Sequence, residues 1–302
     1  METNGDRSER EAGCACDAAR QVSTSCCGER SPAAEPGRLP GPGAPWTLGN
    51  LETPAGSVPR VSSRLTAADR RGGVLVRLGF GRMDYAVRPG LYAVGEPGPE
   101  SPVLVSANYK LSFDSLRREL GGLDAWILVI DTGGINVWCA AGKVTFGTGE
   151  ILSRVSAVRL GELVSRRELV LPQLGAPGVA AHELETRSGF RVVYGPVRAA
   201  DIKAFLAAGG KCTPEMRRVN FGLRERAAVV PLEVLHWGKW FLLLAAAVVG
   251  LAGLGLDGYS PERLGADGLR AALLLMSGFL AGTVVTPLLL PWLPGRTFSL
   301  KG

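Results

Sequence analysis

The chain has 302 residues, room for about two domains at the usual ~150 residues each. Hydrophobic residues make up 46% and charged residues 21%, so the chain can bury a sizeable core. The net charge of +6 comes without a dense Lys/Arg run interleaved with aromatics, which argues against nucleic-acid binding. Residues 1–60 are rich in Gly, Pro, Ser, Ala and charge, with almost no apolar periodicity, and read as a disordered N-terminal tail. Four of the six cysteines, Cys14, Cys16, Cys26 and Cys27, fall in this tail. Their C-x-C and C-C spacings match neither a ferredoxin run nor a paired zinc site. No signal peptide opens the sequence, and the cysteine usage indicates a reducing, cytosolic setting for the soluble part.

Folded sequence is expected from about Leu65. Val74–Leu78 and Tyr85–Val87 read as strands joined by a turn at Gly79–Gly81. An alternation of strands and helices then begins. Val103–Ala107 is a strand, Asp114–Leu120 a helix ended by Gly121 and Gly122, and Ala125–Ile130 an apolar run suited to a strand buried on both faces. A helix follows from about Glu150 to Val158, which Thr148 can cap. Glu168–Leu171 is the next strand, and the stretch PGVAAHELETRSG is a helix with Pro177 near its start and Gly189 past its end. Arg191–Tyr194 is a strand and Ala200–Gly210 a helix. The pattern predicts an α/β, Rossmann-like domain with a largely parallel sheet over residues 61–226.

Residues 227–302 differ in character. Trp240–Leu256 and Ala271–Leu293 carry no charge, and they predict a hairpin of two transmembrane helices at about 238–256 and 271–293. Arg217, Arg218, Arg224 and Arg226 precede the first span, and Arg296 and Lys301 follow the second. By the positive-inside rule both ends, and the α/β domain, face the cytoplasm. The expected setting is thus the cytoplasmic (inner) membrane, with a multi-pass chain.

The segment DTGGINVWCAAGK, Asp131–Lys143, follows the buried run. Ligands of open α/β sheets sit beyond the carboxyl ends of the strands. Asn136 is placed to cap a short helix with Cys139 in its first turn, where the helix dipole favours thiolate. Asn136, Cys139, Ala140 and Lys143 share a face, and Ala141 and Gly142 keep it low enough to approach something broad and flat. Three readings remain open from the residues: a buried structural cysteine, a nucleophile with His182 as base, and a single axial ligand to a metal held by a macrocycle.

The stretch GINVWCAAGK resembles the cap-helix motif of the mercury-methylating corrinoid protein family. The similarity continues through RPGLYAVGEPGPESPVLVSANYKLSFDSL, FGTGE, LVLPQLGAPGVAAHE, YGPVRAADI and LPWLPGRTFSLKG, about Leu65 to Gly302. The soluble part is also similar to the corrinoid-binding domain of the corrinoid iron–sulfur protein of the acetyl-CoA pathway. The resemblance implies a cobalamin-type corrinoid, with Cys139 as the lower axial ligand to cobalt. Asn136, Val137, Trp138, Ala140, Ala141, Gly142 and Lys143 would form the cap helix beneath it. The sequence departs from the motif at Gly133, where a lysine is expected, and at Val144, where a glycine is expected. It also stops at SLKG, where the family continues with further spans, so the chain reads as a fragment or a truncated protein.

The activity implied is methyl transfer from methyl-cobalt(III) corrinoid to Hg(II), giving methylmercury. A ferredoxin-like protein with two 4Fe–4S clusters would return the electrons, and a methyl donor protein or methyl-folate would supply the methyl group. From placement at strand and helix ends, further corrin contacts are expected at Ser106, Asn108 and Tyr109, at Gly147 and Thr148, at Gly178 and Val179, and at Gly195, Pro196 and Val197. Two alternatives remain: a corrinoid methyl carrier serving another acceptor, and a non-catalytic membrane protein whose thiol binds metal.

Overall fold

The continuous apolar runs of the sequence are strands covered on both faces. The computed structural model describes residue 41 and residues 43–294. Its seven-stranded sheet has the order β1-β2-β3-β5-β4-β6-β7. The strands are β1 (Thr47–Thr53), β2 (Gly56–Val61), β3 (Gly90–Val94), β4 (Val103–Ala107), β5 (Ala125–Ile130), β6 (Glu168–Leu171) and β7 (Arg191–Tyr194). Strands β5, β4, β6 and β7 pair in parallel, β3 runs antiparallel to β5, β2 runs parallel to β3, and β1 closes an antiparallel hairpin with β2. The observed architecture is therefore the expected α/β fold with a mostly parallel sheet.

Helices fill the parallel crossovers. α1 (Ala67–Arg77) precedes β3, and α2 (Lys110–Glu119) links β4 to β5. α3 (Val137–Gly142), α4 (Thr148–Ala157) and α5 (Leu160–Leu163) link β5 to β6. A 3-10 helix (Gln173–Gly178) and α6 (Ala181–Ser188) link β6 to β7, and α7 (Ile202–Ala207) follows. Successive strand residues point to opposite faces. Val105, Leu128, Ile130 and Leu171 pack with Ala140, Phe146, Ile151 and Leu184 of the α3–α6 layer. Leu104, Ile127, Val129 and Val170 pack with Phe113 of α2 and Phe205 of α7. Because the chain steps from β5 across β4 to β6, the strand order reverses between β4 and β6, and a crevice opens there at the carboxyl ends.

Several sequence expectations differ from what is seen. Val74–Leu78 is not a strand: residues 74–77 lie in α1 and Leu78 caps it. Thr66 and Asp69 form a capping box at its start, and that local signal outweighs the short run of branched side chains. Tyr85–Val87 makes only an isolated bridge, Ala86 to Tyr109. The expected long helix at PGVAAHELETRSG is divided into the 3-10 helix, which contains Pro177, and α6, which Gly189 ends as expected. Gly147, rather than Thr148, occupies the N-cap of α4, and the Thr148 hydroxyl instead accepts the Ala180 N–H at 2.8 Å. Residues 47–60, assigned to the tail by composition, form β1 and all of β2 but Val61, and β3 was not anticipated. Residues 1–40, with the four tail cysteines, lie outside the described residues, as do Arg296 and Lys301.

A buried ion network joins α1 to α2. Lys110 Nζ lies 2.7 Å from Asp69 Oδ1 and 2.7 Å from Asp114 Oδ2. Arg117 Nη2 meets Asp69 Oδ2 at 2.8 Å and its Nε meets Asp114 Oδ1 at 2.8 Å. Arg117 also donates to the Ser62 carbonyl, which fixes the link from β2 to α1. Two cations balance two carboxylates, and Trp46 lies 5.7 Å from Lys110 Nζ and 5.9 Å from the Arg117 guanidinium. Burial opposes ionisation of Asp69, yet the Lys110 ammonium and the Thr66 N–H hold its carboxyl well below the usual carboxylate range. The same burial, reinforced by the charges of Asp114 and Asp69, pushes the Tyr85 phenol up to about 12.

The C-terminal part holds α8 (Leu223–Ala227), α9 (Val230–Ala252), a two-stranded turn of β8 (Leu254–Gly255) and β9 (Gly258–Tyr259), and α10 (Pro261–Leu280). α10 runs through a π-helical turn, Ala281–Val285, into α11 (Thr286–Leu289). Phe241 stacks on Phe279 with ring centroids 4.3 Å apart, which pairs α9 with α10 as an antiparallel hairpin. The two apolar helical stretches, Leu223–Ala252 and Pro261–Leu289, are 30 and 29 residues long, enough to cross a membrane. α9 starts earlier than the expected 238 and stops before 256.

Removing one member of the buried network leaves an opposite charge uncompensated. Lys110→Met is expected to destabilise the chain by about 3–5 kcal/mol, read from denaturant unfolding followed by tryptophan fluorescence. The Asp69 carboxyl is depressed in the fold, so its contribution is complete above the unfolded value of about 3.9 and is lost as pH falls through the lower folded value. Asp69→Asn is expected to flatten that acid limb of the stability profile.

Candidate functional site

The turn that launches the Cys139 helix is organised by one buried carboxamide. Asn108, at the end of β4, is 1% exposed. Its Oδ1 accepts the Thr132 N–H at 3.1 Å, the Gly134 N–H at 3.0 Å and the Thr132 hydroxyl at 2.8 Å, and its Nδ2 donates to Asp131 Oδ1 at 3.1 Å. Gly133 and Gly134 both adopt left-handed backbone, φ 68° and 72°, which turns these N–H groups toward Asn108. A lysine at 133 would be strained there, so the departure from the motif at this position suits the conformation observed.

Asn136 caps α3 as its position indicates, its side chain accepting the Cys139 N–H at 3.0 Å. α3 then presents two unlike sides. Ala140 and Ala141 are buried against the core, Trp138, Gly142 and Lys143 are exposed, and Cys139 is partly exposed. The expectation that Ala140 shares the open face with Cys139 is therefore not met: Ala140 is 0% exposed and belongs to the packing side. That side needs close approach. A methyl group at Gly178 would overlap the Phe146 carbonyl oxygen and come within 3.1 Å of the Ala141 Cα. Gly178 thus lets the 3-10 helix seat α3, and Val179 beside it is buried.

A groove of about 390 Å³ lies at the crevice between β4 and β6, within the size range of small-molecule sites. Ser106 of β4, Asn136, Val137 and Trp138 at the start of α3, and Gly195, Pro196 and Val197 after β7 all line it. These are the expected residues that the structure brings together. Cys139, Ala140, Ala141, Gly142 and Lys143 of α3 are not among its lining residues, nor are Tyr109, Gly147, Thr148, Gly178 and Val179, and Asn108 acts through the turn. Tyr109 sits at the N-cap of α2 and burial pushes its phenol up. His182 is exposed on α6. The groove also includes Ser112, Ser115 and Leu116 of α2, with Leu174 and Arg198, which sequence reasoning missed. The two serines and Leu116 at i, i+3 and i+4 were the available signal for a helix face turned toward a cavity.

Residues 81–206 match the family model of the CO dehydrogenase/acetyl-CoA synthase delta subunit. Over 127 residues, 41% of this chain, the sequence is 33% identical to the acetyl-CoA decarbonylase/synthase complex subunit gamma of Archaeoglobus fulgidus, and it covers 27% of that protein. Over 120 residues, 39% of this chain, it is 31% identical to the corrinoid/iron–sulfur protein large subunit of Moorella thermoacetica, covering 26% of that protein. The matched region spans about a quarter of the length of these relatives. It runs from the start of the sheet's central strands to α7 and contains the groove and Cys139, but neither the β1–β2 hairpin nor the apolar helices.

Val144, the other departure from the motif, has φ 60° and is exposed. A β-branched residue is strained in that region, at about 1–2 kcal/mol. Val144→Gly is expected to stabilise the chain by about 0.5–1 kcal/mol, the strain relieved being partly offset by the added freedom of the unfolded glycine. Gly178→Ala is expected to lower the unfolding midpoint instead. Equal midpoints for both variants and the parent protein would remove the packing argument for α3.

Proposed function

We propose that this chain is a membrane-anchored, corrinoid-dependent methyltransferase that transfers a methyl group to Hg(II), with Cys139 as the lower axial ligand to cobalt. The observation that carries the reading is the setting of Cys139. Cys139 is partly exposed on a short helix capped by Asn136 and packed through Ala140 and Ala141, and it directly follows Asn136, Val137 and Trp138, which line the groove at the reversal point of the sheet. The residues fit such a cofactor. Among the described residues no group of three or more His, Cys, Asp or Glu is placed to hold a metal ion. A lone soft donor suits a metal whose remaining ligands come from a macrocycle. The similarity of residues 81–206 to a corrinoid/iron–sulfur protein large subunit supports the same cofactor.

Bound corrinoid would supply a cobalt-held methyl group that leaves with its bonding electrons for Hg(II), an electrophile. The Cys139 thiolate would hold the cobalt and supply electron density to it, as cysteine does in thiolate-ligated haem. Asn136 and the Asn108-held turn fix the backbone position of Cys139, and the exposed Trp138 forms part of the groove wall. Ser106, Gly195, Pro196 and Val197 face the same groove and would contact the cofactor's periphery. The proposed partners are a ferredoxin-like protein with two 4Fe–4S clusters, as reductant, and a methyl donor protein or methyl-folate.

The apolar hairpin would anchor the chain as a multi-pass protein of the cytoplasmic membrane. Arg217, Arg218, Arg224 and Arg226 before α9 support placing the α/β domain on the cytoplasmic side. The domain boundary proposed here lies before β1, because a cut at residue 61 would remove two strands of the sheet. The similarity to acetyl-CoA decarbonylase/synthase subunits favours a second reading, a corrinoid methyl carrier for another acceptor. Methylmercury assay of the full chain with its reductant distinguishes the two.

Cys139→Ala is expected to lower methylmercury formation by at least about 100-fold, beyond the usual effect of altering a metal site's outer sphere. It is also expected to change the visible spectrum of the corrinoid-loaded protein. Cys139→His offers a neutral, weaker donor and is expected to lose activity nearly as severely. An unchanged spectrum in the alanine variant would remove Cys139 as a ligand.

A further inference from the structure

Two segments distant in sequence place arginines and exposed apolar side chains together at the root of the apolar hairpin. On α1, Arg70, Arg71, Val74 and Arg77 follow helical spacing along one stripe with Leu75 beside it, and all are exposed. The turn after α1 adds exposed Phe80, Arg82 and Met83. The second segment exposes Arg217, Arg218, Val219, Phe221, Leu223 and Arg224. Exposure is large for such side chains: Val74 55%, Phe80 59%, Val219 64% and Phe221 54%.

Both segments meet the helices where the hairpin begins. A methyl group at Gly79 would lie 3.1 Å from Leu232 Cδ1 in the first turn of α9. α8 is fixed to α11 by Arg226, whose guanidinium donates to the Leu288 carbonyl and lies 5.1 Å from the Trp292 ring centroid. The buried Asp69–Lys110–Arg117 network holds α1 in this place from behind. Residues 70–84 and 215–225 carry seven arginines against Asp84, Glu215 and Glu225. Glu225 is engaged by Arg198 at 3.2 Å.

We infer that this surface lies on the bilayer itself and binds anionic lipid headgroups. The aromatic and branched side chains enter the headgroup–acyl boundary while the arginines meet lipid phosphates. The inference rests on the hairpin being a membrane anchor and goes beyond it. The anchor alone leaves the α/β domain free to swing, whereas a basic and apolar footing beside it sets the orientation of the domain. A protein partner for the same surface would have to match seven arginines with acidic groups, and its absence from purified lipid discs makes that alternative testable.

The test uses the full chain reconstituted in nanodiscs of phosphatidylcholine alone and of phosphatidylcholine with phosphatidylglycerol. Amide hydrogen exchange is measured for residues 78–83 and 217–224, with β1 as internal reference. Exchange in the two segments is expected to be roughly tenfold slower in the anionic discs, with β1 unchanged. The combined variant Arg70→Gln/Arg71→Gln/Arg217→Gln/Arg218→Gln, all exposed positions outside the buried network, is expected to abolish the difference while keeping its helical circular dichroism. Equal exchange in the two discs overturns the inference and leaves the anchor intact. So does protection that persists in the glutamine variant. A chain that does not enter discs at all overturns the anchor and this inference together.

Discussion

The candidate site depends on one hydrogen-bonded turn. Asn108 accepts three donors from residues 132–134 and so binds the end of β4 to the segment leaving β5. An unpaired carboxamide or peptide N–H buried here would be costly, which is why the turn has little freedom once the two strands are paired. Everything after it inherits that position. Asn136 can cap α3, α3 can place Ala140 and Ala141 inward, and Cys139 is then left on the open side.

The seat beneath α3 is as restrictive as the turn in front of it. Gly175 and Gly178 of the 3-10 helix leave no room for side chains against Phe146 and Ala141. Small residues therefore serve packing from below and only secondarily an open surface above. Val144 shows the limit of this arrangement, since the chain leaves the helix through a left-handed residue that glycine would fill without strain.

On the other face of the sheet, the buried ion network has a different consequence. It fixes α1 to α2, with Ser62 and Thr66 drawn in through Arg117 and Asp69. Removing one partner of such a buried network would leave an opposite charge uncompensated, so its four side chains hold together as a unit. Here the arrangement holds α1, and the turn after it meets the start of α9 at Gly79 and Leu232. In the proposed function, the same rigid body would carry the groove at its carboxyl edge and the lipid footing at the hairpin root. The cofactor site would thus keep a fixed height above the membrane.

Burial on both faces made β4, β5 and β6 legible as apolar runs, the branched pair Val192–Val193 marked the less buried β7, and glycine stops and caps made most intervening helices legible too. The apolar helices were legible because an uncharged run of that length has few alternatives. β1 and β2 were hidden because Gly56 and Pro59 give their segment the composition of a loop, and only pairing with β3 makes it sheet. α1 was misread because Val74 and Val76 alternate like a strand, although just Val76 is buried. The sequence by itself determined the parallel α/β alternation, the Asn136 cap and the place of Cys139 in the first turn of α3, since these are local in spacing and residue type. Tertiary structure alone decided that Asn108 braces the turn, that Ala140 faces inward, and that Ser112 and Arg198 meet at the groove. Those facts depend on strand order and on the distance between segments far apart in the chain, which no local pattern encodes.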